Sequence, residues 1–352
     1  MEAYREYVGN LHNHTLYSSG TARHAEVAQA AEDAGLNFVI TTDHNLWVQN
    51  VEGYYGSVLL LVGEEVHNVS RHPSANHLLV YSAEQELAPY AFASTQMLLQ
   101  KAKECEGICF IAHPTERNHA QGSTISGAPW TDWPVEGITG LELWNYTSEF
   151  KDLLWGALPA AFYTHFPSWG MRGPRKTTLR LWDELLNKGQ HLAALGNANA
   201  QPLHYRIGGQ QAYLSYVYLF RCVNTHILTN GPLTGDLSQD KQLLYEALWA
   251  GRTWVGYDLP HSTRGFSFTA RSGSARATVG EELKRLGAVT LEVKLPAKGE
   301  IRLLRNGKLI RRASDTELHY TSAEAGVYRV EVTRRFRGLR VGWIFSSPIY
   351  IS

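Results

Sequence analysis

Cysteine is scarce. The 352 residues contain three, Cys105, Cys109 and Cys222, with no Cys-x-x-Cys pair. That excludes a disulfide framework and a zinc knuckle, and it fits a reducing compartment. Net charge is also missing: 33 basic side chains balance 33 acidic ones. Nothing therefore draws the chain as a whole to nucleic acid or to an anionic membrane surface. No apolar run approaches the ~18 residues of a membrane span. The opening MEAYREYVGN carries charges where a secretory leader has its apolar stretch. A cytoplasmic protein without nucleic-acid or membrane partners is the expectation. Apolar residues make up 44% and charged residues 19% of the chain, a balance that excludes a disordered protein. The length suits one large domain, or one large and one small. What the chain has in quantity is histidine, 15 residues, several at the ends of apolar runs.

One pattern recurs over the first 260 or so residues. A stretch of helical period ends in glycine and an apolar strand follows, as in HAEVAQAAEDAG-LNFVITTDH, STQMLLQKAKECEG-ICFIAHP, TTLRLWDELLNKG-QHLAALGN and SQDKQLLYEALWAG-RTWVG. Ser94, Thr178 and Ser238 are candidate N-caps, and Gly35, Gly107, Gly189 and Gly251 candidate left-handed C-caps. Val8–Leu11, Val58–Val62, His77–Tyr81 and Ile138–Leu143 read as further strands. Strands apolar on both faces predict a buried parallel sheet, in an α/β barrel or a doubly wound fold. From Arg264 the period changes to two, in GFSFTA, VTLEVKL, EIRLLRN and YRVEVTRR, and Asn306-Gly307 marks a tight hairpin. The predicted organisation is an α/β domain over 1–263 and a small antiparallel β domain, sandwich-like, over 264–352.

Polar residues gather at the strand ends. His12 and His14 follow the first strand, Asp43 and His44 the second, Glu64 and Glu65 the run LLLVG, and His113 the run ICFIA. Glu142 and Asn145 close another strand, and Asn197, Asn199 and Gln201 follow LAALG. In a parallel α/β barrel these ends share one rim, where sites are built. His12 and His14, two apart in extended chain, project the same way and suit a divalent ion such as zinc, manganese or iron. A carboxylate bridging two ions offsets their repulsion and holds them ~3.5–4 Å apart. Glu64 and Glu65 both qualify by pattern, and His77 at the head of HLLVY is a further ligand candidate.

Leu11-His-Asn-His-Thr, Thr42-Asp-His-Asn, Gly63-Glu-Glu, His77-Leu-Leu-Val-Tyr and Ala112-His-Pro together resemble the successive motifs of the PHP (polymerase and histidinol phosphatase) superfamily, over about residues 8–255. With the trailing β region the chain looks most like the branch that includes carbaryl-hydrolase-like enzymes. The resemblance implies a distorted (β/α)7 TIM-like barrel with up to three metals at its mouth. It implies His12, His14 and Glu65 around the first metal, Glu65, His77 and His113 around the second, and His44 at a third. The family spacing favours Glu65 over Glu64. Asn199 and Gln201 stand where the family's last motif has Asp and His, and Ser18-Ser19-Gly20 stands where many relatives have Ser-Asp-Gly. Asn199 and Gln201 are weaker ligands, so one or two bound metals (Zn, Mn or Fe) are expected. His204 lies close by.

The expected activity is metal-dependent hydrolysis of a small-molecule phosphoester by a metal-bridging hydroxide. His44 or Asp43 would move the proton. Arg117 or Arg23 would clamp the phosphate, and Trp130, Trp133 and Trp144 would wall the pocket. The same machinery would also suit a carboxylic ester, carbamate or amide. The altered last motif allows a third reading, a non-catalytic or weakened homologue.

Overall fold

The computed structural model describes residues 4–117, 127–201, 205–207, 210–212 and 214–352; His204 lies outside them. β1 (Arg5–Asn10) leads through α1 (His24–Asp33) to β2 (Phe38–Thr41), followed by β3 (Gly53–Tyr55), β4 (Val58–Val62), β5 (Glu64–Val66) and β6 (Leu78–Tyr81). Next come α2 (Ala88–Ala91), α3 (Thr95–Glu104), β7 (Ile108–Ile111), β8 (Gly140–Asn145), α4 (Tyr146–Lys151), α5 (Ala157–His165), α6 (Lys176–Asn187) and β9 (Ala193–Asn197). After the short pair β10 (Tyr205–Ile207) and β11 (Gln210–Ala212) come α7 (Tyr216–Phe220), β12 (Val223–Thr229), α8 (Leu237–Trp249) and β13 (Thr253–Tyr257). The remainder is all strand: β14 (Ser267–Ser272), β15 (Ala275–Thr278), β16 (Glu282–Leu283), β17 (Val289–Arg305), β18 (Lys308–Ser322), β19 (Gly326–Phe336), β20 (Leu339–Ser346) and β21 (Ile349–Ile351).

The architecture is mixed α/β, and it corrects two expectations. The sheet is not all parallel. β1–β2–β4 and β7–β8–β9 are parallel as expected, but β12 runs antiparallel to β1 and β13, and β6 antiparallel to β5 and β7. A parallel pair needs a crossover connection, and residues 67–77 between β5 and β6 contain no helix. The second correction concerns closure. The strands form a 14-stranded sheet and a five-stranded sheet, β5-β6-β7-β8-β9, besides the β10–β11 pair, and among the described residues no sheet closes on itself. Two isolated parallel bridges, Asn13↔Ala200 and His44↔Glu65, tie the two sheets together where the histidines lie.

Alternation along the strands decides which side chains meet between the sheets. Phe38, Ile40, Leu59 and Leu61 from the large sheet pack with Leu79, Tyr81, Phe110 and Leu195 from the small one. The opposite phase, Val39, Leu60, Val80, Cys109 and Ile111, packs with helix residues such as Val27, Ala31, Leu98 and Leu99. Burial on both faces makes these strands continuously apolar. The helix ends follow the expectation in part. Ser94 Oγ accepts the Met97 N–H at 3.1 Å, but Thr178 and Ser238 lie inside α6 and α8, whose N-caps are Arg175 and Asp236. Gly35, Gly189 and Gly251 have left-handed backbones, whereas beside Gly107 it is Glu106 that takes the positive φ.

In the C-terminal region Asn306-Gly307 forms the tight turn between β17 and β18. The strands pair antiparallel except β16 with β21, and β20 pairs with β13, so the large sheet runs without a break into this region. A second core of Trp254, Phe268, Leu291, Ile301, Val330 and Trp343 fills it. No helix among the described residues is long and apolar enough to cross a membrane.

Two buried charge clusters bind the chain together, and each gives a prediction. Arg329 on β19 is buried over the Trp182 ring and pairs with both oxygens of Asp183 (2.8 and 2.7 Å) on α6 and with Glu331 (2.7 Å). Arg329→Met leaves Asp183 without its partner and leaves Glu331 to Arg302 alone (2.6 Å). We expect it to cost about 3–5 kcal/mol in a denaturant titration; a loss below about 1 kcal/mol would contradict this account. His226 on β12 lies between Glu6 of β1 (2.7 Å) and Asp258 (3.3 Å). Burial opposes its charged form, but Asp258 and Glu6 outweigh burial and raise its pKa. Its contribution to stability is thus complete below the ordinary histidine value and is lost as pH rises through the raised one. The stability gap between wild type and His226→Gln should therefore narrow from pH 6 to pH 9. A constant gap would refute the linkage.

Candidate metal centre

The centre of the site is set by alternation. Leu59, Leu61, Gly63 and Glu65 share the phase that faces the space between the sheets, while Glu64 takes the opposite one. Glu64 is buried elsewhere, accepting the Leu87 and Ala88 N–H groups at 2.8 and 3.2 Å, and burial pushes its pKa up to about 7. Gly63 is needed by close approach: a Cβ there would lie 2.7 Å from the Tyr81 ring. His44 shares a phase with Phe38 and Ile40, and His77 with Leu79 and Tyr81. Because β6 is antiparallel, His77 at its N-terminal end reaches the same mouth as the C-terminal ends of β2 and β7. His113 breaks the alternation; a backbone φ of +29° turns it inward.

Five imidazole nitrogens surround the Glu65 carboxylate. His12 Nε2, His14 Nε2 and His44 Nδ1 lie 3.0, 3.1 and 3.1 Å from Oε2. His77 Nδ1 and His113 Nε2 lie 2.7 and 3.2 Å from Oε1. Burial would raise the Glu65 pKa, but His12, His44 and His77 hold it well below the carboxylate range. For His12, Glu142 and Glu65 overcome burial and lift the pKa to about 10. His44 is the reverse case: burial prevails over Glu65 and, with His14 and His77 nearby, pushes it down to about 2.

Three outward nitrogens are held as well. His12 Nδ1 lies 3.0 Å from Glu142, His77 Nε2 2.9 Å from Ser74 Oγ and His14 Nδ1 3.3 Å from Ser18 Oγ, while His113 Nδ1 faces Glu116 at 3.4 Å without a hydrogen bond. Such partners fix ring orientation and tautomer, as they do behind metal-ligating histidines. Asp43 belongs to this outer set. Its carboxylate accepts Thr15 N–H (2.8 Å), Thr15 Oγ1 (2.6 Å) and Ser18 Oγ, so it stands behind His14 rather than at the centre.

These residues fit divalent cations on an observation internal to the site. One carboxylate offers about four lone-pair directions, fewer than the nitrogens around it. The buried His14 Nε2 and His44 Nδ1 make no hydrogen bond, although orphaned buried ring nitrogens are costly. Among the described residues, ligand atoms within 4.8 Å of one another occur in three groups: His12, His14 and Glu65; Glu65, His77 and His113; and His44, His67 and His77.

Other expected residues fall elsewhere. Asn199, with φ of +49°, is buried, and Gln201 Nε2 donates to its Oδ1 at 3.5 Å. Ser19 and Arg23 are exposed. The Arg117 side chain is 71% exposed, with its guanidinium 4.0 Å from Asp152, and it does not join the histidines. Trp144 is buried against Tyr257 and Phe345, Trp130 is buried, and Trp133 is 37% exposed. Sequence reasoning passed over Ser74, Glu116 and His67. His67 carried a signal, two residues beyond Glu65 in the same phase; Ser74 and Glu116 are joined to the site only by the fold.

No family profile matches the chain, and no curated protein matches it. Among solved structures it is similar to a two-domain protein from Bacteroides vulgatus containing a predicted PHP-like metal-dependent phosphoesterase. The two share 14% identity with a TM-score of 0.44, over 99% of this chain and 97% of that one. It is also similar to a protein from Bifidobacterium adolescentis assigned as a metal-dependent phosphoesterase. There the identity is 14% and the TM-score 0.34, over 58% of this chain and 92% of the other.

Proposed function

We propose that the chain is a PHP-like metal-dependent hydrolase acting on a small-molecule phosphoester. In this reading residues 1–263 carry the site and residues 264–352 brace it through β13–β20 and the Arg329 cluster. The observation that carries the reading is the set of five imidazole nitrogens around the buried Glu65 carboxylate, two of them without hydrogen bonds. His12, His14 and Glu65 would hold one cation, and Glu65, His77 and His113 another, from the class of zinc, manganese or iron. When bound, such cations supply Lewis acidity and an attacking water acidified toward neutral pH.

The protein's own residues do the rest. Glu65 lies between the two ligand groups and offsets their repulsion. Glu142, Glu116, Ser74 and the Ser18–Asp43 pair lock the rings, so ordering them does not have to be repeated in each turnover. His44, with 29% of its side chain exposed, is the most open of the five; burial favours its neutral form, and it is our candidate to accept a proton at the mouth and pass it on to water. Asp43, which accepts three hydrogen bonds from Thr15 and Ser18, is a positioning residue for His14 through Ser18.

A second reading has one observation in its favour. Arg117 and Arg23, the expected phosphate clamps, do not join the cluster. An uncharged carboxylic ester, carbamate or amide would need no such clamp. Turnover of aryl phosphates and aryl esters, measured with added manganese or zinc, separates the readings. Faster phosphate turnover is the expected result, and faster ester turnover would transfer the assignment. Activity toward neither, with less than one bound ion per chain, would make the site non-catalytic.

A further inference from the structure

α5 has no polar side chain before Tyr163, the composition of a buried helix. Yet Leu158 is 85% exposed, and Phe162, Phe166 and Trp169 are exposed as well. Leu158, Phe162 and Phe166 recur every four residues and so share one face. The Phe162 ring lies 5.2 Å from Phe166 and 6.4 Å from Trp169, and the Phe166 ring 6.5 Å from Trp169. A continuous apolar surface left in water marks a place of interaction. The charge around it has one sign. Residues 153–182 and 332–352 contain no Asp or Glu, and the fold brings these two segments together. The Gly342 N–H donates to the Arg172 carbonyl at 2.7 Å, and the Arg337 guanidinium lies over the Trp169 ring, 5.7 Å from its centre. Arg172, Arg335 and Arg337 are exposed, and among the described residues none of them is in an ion pair.

We propose that this face docks the protein onto an anionic membrane surface. Leu158, Phe162, Phe166 and Trp169 enter the headgroup layer, and Arg172, Arg335 and Arg337 meet the lipid charges. Two features favour lipid as the occupant. Rings beside arginines suit the boundary between acyl chains and headgroups, which satisfies an apolar body and a charged tip together. Each arginine held near an anionic leaflet adds to the attraction. Charge disfavours a second copy of the chain: two-fold pairing would bring two arginine-bearing faces together, with no carboxylate in either segment to offset them. The neutral total charge predicts no membrane partner, but that total averages over a face from which acids are missing. The inference is independent of the Glu65 cluster.

The test is co-sedimentation of the full chain with vesicles of phosphatidylcholine alone and of phosphatidylcholine mixed with phosphatidylserine, at low salt, where the attraction is least screened. Binding to the mixed vesicles should be at least about tenfold stronger and should weaken as salt is raised. Arg172→Gln combined with Arg337→Gln should remove most of that preference. Leu158→Ser should weaken binding to the mixed vesicles about fivefold or more. Leu158→Trp should strengthen it, which a packing role does not predict. Leu158 is exposed, so both variants should fold as the wild type does. Equal binding to the two kinds of vesicle, binding to neither, or binding indifferent to the arginine and Leu158 variants would overturn the proposal. So would a dimer in analytical ultracentrifugation that Leu158→Ser dissociates, since a second copy would then cover the face.

Discussion

Glu65→Gln should remove bound metal and lower hydrolysis by about 10³-fold or more, roughly 4 kcal/mol of barrier. The change is nearly isosteric, so the effect isolates charge. Glu65 is the one carboxylate among five inward-facing imidazoles, and it belongs to two of the three candidate ligand groups. A neutral amide would leave two adjacent cations without a bridging anion. Its NH2 group would also point a donor at nitrogens that need their lone pairs for metal. Glu64→Gln is the matched control. That carboxylate accepts two backbone N–H groups next to α2 and is partly protonated near neutral pH, so the amide should leave rate and metal content within a few-fold of wild type. Elemental analysis and rate together decide. Glu65→Gln with full metal content and full rate would remove the site from Glu65 altogether.

The second large effect concerns stability. Stripping cations with a chelator is expected to lower the melting temperature by about 10 °C. The imidazoles cluster around one anion, and the inward nitrogens His14 Nε2 and His44 Nδ1 make no hydrogen bond; binding cations there favours the folded state by linkage. A single ion held at about 1,000 times its dissociation constant adds about 4 kcal/mol, and a domain of this size shifts by about 2–4 °C per kcal/mol. Glu65→Gln, already without metal, should melt at the same temperature with and without chelator. A wild-type melting temperature indifferent to chelator would show that the cluster is stable without ions.

Several parts of the site could be read directly in the chain. His-x-His at residues 12–14, and histidines at 44, 77 and 113 after or before apolar runs, are brought to one point by the fold. The choice between Glu64 and Glu65 was open by pattern and follows from phase, since Leu59 and Leu61 pack between the sheets. Asp43 has a setting that residue type does not reveal. An acid next to a candidate ligand suggests proton transfer, and in the fold its carboxylate accepts three hydrogen bonds from Thr15 and Ser18. Arg117, four residues beyond His113, points to Asp152, because spacing along a loop says nothing about where the loop turns.

The chain alone determined that strands of period two lie near the expected positions, with β4 exact and β1 and β8 displaced by two or three residues, and which residue types stand at their ends. These depend on local periodicity, and a strand repeats every two residues whatever its neighbours do. The tertiary structure decided strand direction, the open sheets of the described residues, and the partners Glu142, Glu116 and Ser74 beside the rings. Pairing direction and the convergence of side chains depend on contacts between residues far apart in the chain, and no local repeat encodes those.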